Sequence, residues 1–181
     1  VVSPEDQRLS RVENVIYAAP SQSLAAAAEL ARAEGAVVRI LGDAIEGEAR
    51  AVAKEHAGLA LAARGERPLL LLSGGELTVT RRGDGVGGPN AEYALALALA
   101  LAGAPGIHAL ACYTAGVDGA AEVAGAVIHP ATLSKGADAK SALDRNDAHS
   151  FFEAIGDQVV TGPTLTNVND FRAILIQPAA D

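Results

Sequence analysis

From Tyr93 to Val117 the chain carries no Asp, Glu, Lys or Arg, and no other feature constrains its fold as much. An uncharged stretch of that length either spans a bilayer or lies inside a protein core. Gly103-Ala104-Pro105-Gly106 breaks it in the middle, so a helix, a turn and a strand are expected, in a soluble protein with no membrane span. Within Ala91 to Ala102, Leu95, Leu97, Leu99 and Leu101 alternate with alanine, which is the strand period. Alanine and leucine are strong helix formers, however, and no β-branched residue intervenes, so propensity outweighs the alternation. On that helix Leu95 and Leu99 face one side and Leu97 and Leu101 nearly the other. It must therefore be covered on two faces, and it is central.

Half of the 181 residues are hydrophobic and only 3% are aromatic, so the core is built from Ala, Val, Leu and Ile. The net charge of −8 leaves no basic face for nucleic acid. The single cysteine, Cys112, forbids an internal disulfide and multi-cysteine zinc. It sits in the apolar run Ala109-Leu110-Ala111-Cys112, as a buried thiol would. There is no methionine, and the acidic opening Ser3-Pro4-Glu5-Asp6 is unlike a secretory signal. The expectation is part of a longer, cytoplasmic protein.

The remaining elements follow from period and punctuation. Asn14 to Ala18 reads as a buried strand ended by Pro20. Ser23 to Ala33 reads as a helix stopped by Gly35, Val37 to Leu41 as a strand, and Glu46 to Ala63 as a helix closed by Gly65. Leu69 to Leu72 is a strand covered on both faces, followed by a half-exposed strand in which Leu77 and Val79 alternate with Thr78 and Thr80. Ile107 to Cys112 is a strand, Ala121 to Ile155 is mostly helical, and Arg172 to Ile176 is the last strand. The fold class is α/β, a layered sandwich with a mostly parallel or mixed sheet.

Three segments could carry chemistry. Ser73-Gly74-Gly75-Glu76 is expected at the C-terminal end of a buried strand, where open α/β sheets place ligands. Thr114, Asp118 and Gly119 are expected at the same end, with Asp118 able to hold a metal or a substrate hydroxyl. Gly83, Gly85 and Gly88 match G-x-G-x-x-G, but Ala94 to Val117 lacks the acidic residue that a dinucleotide ribose needs. An anion site fits better: Pro89 suits the first helical position and would leave the amides around Asn90 and Ala91 to face a ligand. A plain glycine turn is the competing reading. In Thr161 to Asp170, six of ten residues bear hydroxyl, amide or carboxylate groups, which either bond their own loop or contact a ligand. Asn146-Asp147 is expected to cap the helix that Gly156 ends. None of Lys54, Lys135 and Lys140 follows a glycine, so there is no Walker A motif. The four histidines lack H-x-x-x-H spacing, and no G-x-S-x-G elbow is present.

Leu72-Ser73-Gly74-Gly75-Glu76-Leu77-Thr78-Val79, Gly87-Gly88-Pro89-Asn90-Ala91-Glu92, Asp118-Gly119, Asn146-Asp147 and Thr161 to Asp170 together resemble the C-terminal region of the glycerate 2-kinases. That region is the MOFRL domain, whose members are also labelled hydroxypyruvate reductases. The resemblance divides the chain into residues 1–66, the αβαβ tail of a larger N-terminal kinase domain, and residues 67–181, a MOFRL-type domain. It implies phosphoryl transfer from ATP to D-glycerate or a related hydroxy acid, with Mg²⁺, in a cleft between two domains. Glu76 and Asp118 are the implied catalytic candidates. Ser73, Gly74, Gly75, Gly87, Gly88, Asn90, Glu92, Thr166 and Asn167 are the implied substrate or phosphate contacts, and no metal ligand is assigned. The family reads Gly-Gly-Arg-Asn-Gln-Glu where this chain has Pro89 and Ala91, so a fixed positive charge is missing unless Arg81 or Arg82 supplies it. The family's catalytic lysine and much of its nucleotide site lie in the N-terminal domain, so the chain alone is expected to be inactive. An NAD(P)H-dependent reductase and a non-catalytic ligand-binding or oligomerisation module are the alternatives, and homodimerisation is left open.

Overall fold

In the computed structural model, residues 3, 6–13, 15–63, 65–119, 121–136 and 138–178 are described. The elements, in chain order, are α1 (Pro20–Ala33), β1 (Val37–Glu48), α2 (Ala49–Ala62), β2 (Leu69–Thr78), α3 (Pro89–Leu101), β3 (Ile107–Tyr113), β4 (Gly125–Ile128), α4 (Thr132–Lys135), α5 (Ala139–Asp144), α6 (Ala148–Ile155), β5 (Gln158–Val159) and β6 (Asp170–Ile176). Among them no helix is long and apolar enough to cross a membrane.

The six strands form one sheet in the order β1-β2-β6-β3-β4-β5. The α/β sandwich with a mixed sheet is as expected. A parallel majority is not: only β1 and β2 run parallel, and the other four pairings are antiparallel. The last strand, β6, inserts between β2 and β3 and opposes both.

Alternation along the strands builds two layers of core. On one face Leu71, Ile107, Ile174 and Ile176 pack with α2, α3 and the short helices α4 to α6. On the other face α1 lays Leu24 and Ala28 against Leu72, Phe171 and Ala173. Beyond α1 this second face is open, leaving a shallow apolar hollow lined by Leu70, Leu110, Val127 and Leu175. Helix α3 is the central element. Tyr93, Leu95, Leu97 and Leu101 are all buried, with the sheet on one side and α2, α5 and α6 on the other.

Several expected boundaries move, for physical reasons. Val15 to Ala18 is not a buried strand (Asn14 lies outside the described residues). Ile16 and Tyr17 are 80% and 94% exposed, and the segment pairs with no strand of the sheet. Pairing with Gly75 to Thr78 carries β1 on to Glu48, and the Glu48 carboxylate then caps α2 by accepting from the Arg50 amide at 3.0 Å. Glu46 is therefore strand, not helix. β2 is one strand through Thr78, so Ser73 to Glu76 lies within it rather than at its end. Within Ala121 to Ile155 the strand β4 was not foreseen; it is four residues long and built from Gly, Ala, Val and Ile.

Candidate functional site

Around the start of α3 several loops converge beside the C-terminal ends of β2 and β3. The core of this region is a buried polar network. Asp118, 1% exposed, accepts the amides of Asn90 and Ala91 at 3.0 and 2.9 Å. Its carboxylate thus caps α3 and meets the positive end of the helix dipole. His149 Nε2 lies 3.2 Å from the same carboxylate. This corrects the expectation that those amides face a ligand: a side chain of the protein already occupies them. It also leaves Asp118 with both oxygens engaged.

Asn90 is fully buried and bridges two acidic residues, donating Nδ2 to Asp118 Oδ1 at 3.1 Å and to Asp170 Oδ1 at 2.7 Å. Its Oδ1, like Nδ1 of His149, has no partner among the described residues. Asp170 also accepts from the Leu77 amide at 3.0 Å and from Arg172 at 2.7 Å. Burial pushes the Asp170 carboxyl upward against the lowering pull of Asn90 and Arg172. Arg172, itself buried, donates to Ser73 Oγ and the Gly74 carbonyl and lies 5.6 Å from the centre of the Tyr93 ring. The Tyr93 hydroxyl pairs with His56 Nδ1 at 2.8 Å. Burial, with the Arg172 charge, lowers His56 to about 4, so His56 is neutral at pH 7. Burial pushes the Cys112 thiol up to about 11, as suits an unreactive cysteine.

A second chain of bonds shapes the glycine loop. Arg50 on α2 donates to Glu92 Oε1 at 2.7 Å and to the Leu143 carbonyl. Asn146 donates to Glu92 Oε2 at 2.8 Å and accepts the amides of Arg82 and Gly83 at 2.6 and 3.0 Å. Asp147 stands at the start of α6, but its carboxylate accepts the Val86 amide at 3.0 Å rather than capping its own helix amides. Asn146 and Asp147 therefore clamp the loop instead of serving α6. Gly85 shows why the loop needs glycine: a Cβ there would lie 2.4 Å from Asp147 Cβ. At Gly88 it would lie 2.5 Å from the Asp118 carbonyl. These glycines are used by close approach of the chain to itself.

What remains open is a pocket of about 280 Å³ lined by Val79, Arg81, Gly85, Gly87, Gly88, Pro89, Glu92, Gly119 and Asn146. Of the expected contacts, Gly87, Gly88 and Glu92 reach it. Asn90 lies behind it. Ser73, Gly74 and Gly75 are buried in β2, and Glu76 is exposed near the end of that strand. Thr166 and Asn167 lie on an exposed loop and do not line the pocket. The polar groups of that loop bond one another and the end of β3: Asn167 accepts the Asn169 amide and donates to the Tyr113 hydroxyl, and the Thr164 hydroxyl donates to the Thr114 carbonyl. Sequence reasoning missed Arg50, Asp170 and Arg172. The spacing Asp170-x-Arg172, inside an otherwise apolar strand, was the available signal, since it puts both on one face. Among the described residues no group of three or more His, Cys, Asp or Glu could hold a metal.

The MOFRL family profile matches residues 69–170. The chain belongs to the MOFRL family. This MOFRL chain is 51% identical over 174 residues to an Agrobacterium vitis protein named "Putative hydroxypyruvate reductase", covering 89% of the chain and 45% of that protein. It is 30% identical over 185 residues to a D-glycerate 2-kinase of Thermotoga maritima, covering 97% and 44%. A crystal structure of a glycerate kinase from Thermotoga maritima superposes with a TM-score of 0.87 at 30% identity, over 91% of the MOFRL chain and 42% of the other. The chain thus spans less than half the length of these relatives. The family match begins at Leu69, while β1, which precedes it, is a strand of the same sheet and α1 packs against that sheet.

Proposed function

We propose that this chain forms the substrate-holding part of an ATP-dependent glycerate 2-kinase. The observation that carries the reading is the pocket at the head of α3, with its shaped glycine loop and an arginine, in a chain whose fold matches that of a glycerate kinase. Phosphoryl transfer asks for positioned donors and cations more than for covalent chemistry, and such groups line this pocket. D-Glycerate or a related hydroxy acid would sit against the loop, with Glu76 the exposed carboxylate nearest in kind to a catalytic group. Asp118 acts through α3, as a positioning residue. The residues present do not form a Mg²⁺ site by themselves: Asp118 is saturated, Glu92, the carboxylate that lines the pocket, is engaged by Arg50 and Asn146, and Glu76 does not line it. No step is therefore assigned to the metal. ATP is expected to be held mainly by a further domain of the same protein, for which the longer relatives have room.

The reductase name of the Agrobacterium relative favours a second reading, NAD(P)H-dependent reduction of hydroxypyruvate. Against it, no acidic residue stands where the ribose would need one, and the loop glycines are closely approached by the chain itself, Gly83, Gly85 and Gly87 by residues 145–147 and Gly88 by Asp118. One set of assays separates the two. D-Glycerate-dependent ADP release is expected from the chain joined to a domain completing its relatives' length, and none from the 181 residues alone. Pro89→Arg, made alongside, is expected to raise the rate at least tenfold. Consumption of NADH with hydroxypyruvate would overturn the kinase reading. Silence in both assays would leave a ligand-binding module.

A further inference from the structure

We infer that Arg81 is the residue that makes this pocket select an anion, taking a carboxylate or phosphate oxyanion on the two terminal nitrogens of its guanidinium. This deepens the kinase reading by naming the ligand chemistry of the same pocket. Two charged residues line the pocket, Arg81 and Glu92. The Glu92 carboxylate is already answered by Arg50 at 2.7 Å and by Asn146 at 2.8 Å. The unbalanced charge is that of Arg81.

Its geometry is prepared for a ligand. Arg81 Nε donates to the Gly83 carbonyl at 3.1 Å, which fixes the guanidinium on the loop. Its terminal nitrogens have no partner among the described residues, and Arg81 forms no ion pair there. A guanidinium held at Nε offers a planar fork that matches the two oxygens of a carboxylate or phosphate. Gly87, Gly88 and Gly119 line the same pocket, and none of their amides donates a hydrogen bond among the described residues. The dipole of α3 cannot supply the positive field, because Asp118 has taken its first free amides. The neighbour Arg82 provides an internal contrast. It has the same charge and is also exposed, yet it does not line the pocket, and its amide is tied to Asn146. A pocket of about 280 Å³ is at the small end for ligand sites, which suits a small oxyanion rather than a whole nucleotide.

The test is a ¹⁵N NMR titration of the 181-residue chain at constant ionic strength with D-glycerate, inorganic phosphate and, as the uncharged control, glycerol. D-Glycerate, phosphate or both are expected to shift the Gly87, Gly88 and Gly119 amides, and whichever binds identifies the source of the oxyanion. Glycerol is expected to leave them unmoved. Arg81→Ala should weaken anion binding at least tenfold and Arg82→Ala less than twofold. Arg81→Lys, which keeps charge but not the fork, should fall between wild type and Arg81→Ala. Equal losses in the two alanine variants would mean diffuse charge and overturn the inference, as would binding of glycerol or anion-independent spectra in the wild type. Kinase turnover is read separately. Anion binding at Arg81 without any ATP-dependent turnover in the completed protein would end the kinase reading and leave this one standing.

Discussion

Burial is the main influence on the titration of His56 and Asp170, with the Arg172 charge acting on both. An unfolded chain would protonate His56 near pH 6.5, whereas the folded protein resists to about 4. Between those values the unfolded state binds more protons, so stability contributed by His56 falls as pH drops from 6.5 toward 4. Asp170 works the other way: its folded carboxyl is raised, so its cost is greatest at neutral pH and is relieved on acidification. Replacing His56 with Gln, which can still bond the Tyr93 hydroxyl, isolates the histidine. Thermal melts from pH 7.5 to 4.5 should show a steeper acid decline for wild type than for His56→Gln. Parallel curves would mean that the buried ring titrates as in water. Nothing in the sequence singles out His56 and Tyr93, which read as an ordinary helix residue and a helix start; only the packing of α2 on α3 brings them to 2.8 Å.

The helices and the glycine loop respond oppositely to the same small change. Gly58 lies within α2, and a Cβ there meets nothing within 4 Å. Gly58→Ala should therefore stabilise the chain by about 0.5–1 kcal/mol, through helix propensity and a less flexible unfolded state. Gly85→Ala drives a Cβ into the backbone of Asp147 and Arg145 and should cost about 1–3 kcal/mol. Urea unfolding of the two variants measures both, and a neutral Gly85→Ala would show that the loop is not clamped as described. Helix α3 is legible in the sequence, because Ala94 to Ala102 is nothing but Ala and Leu and leaves no polar face to expose. The loop is not. Its glycines fit a dinucleotide pattern by spacing, yet Gly83 and Gly85 make room for residues 145–147, some sixty positions away, and Gly88 for Asp118, which no local reading discloses.

At the scale of the whole chain, the first 66 residues and the rest depend on one another. Arg50 on α2 is the ion-pair partner of Glu92, which is fully buried on α3. A chain cut to residues 67–181 loses that partner, along with α1, β1 and the cover of Leu72. Leaving a buried carboxylate unpaired costs about 3–5 kcal/mol, a large part of the roughly 5–15 kcal/mol available to a domain. Residues 67–181 alone are expected to give a collapsed NMR spectrum where the 181-residue chain gives a dispersed one; a dispersed spectrum from the short form would show that the family-matched part stands alone. The sequence by itself determined the α/β class, the central helix and the places where chain punctuation meets polar residues, because propensity, period and glycine act over a few neighbouring positions. Tertiary structure alone decided that the sheet is mainly antiparallel, that Asp118 caps α3, and that Arg81 rather than Arg82 reaches the pocket. Those outcomes rest on strand order and on contacts between residues 27 to 99 positions apart, and a short window of sequence holds only one side of each.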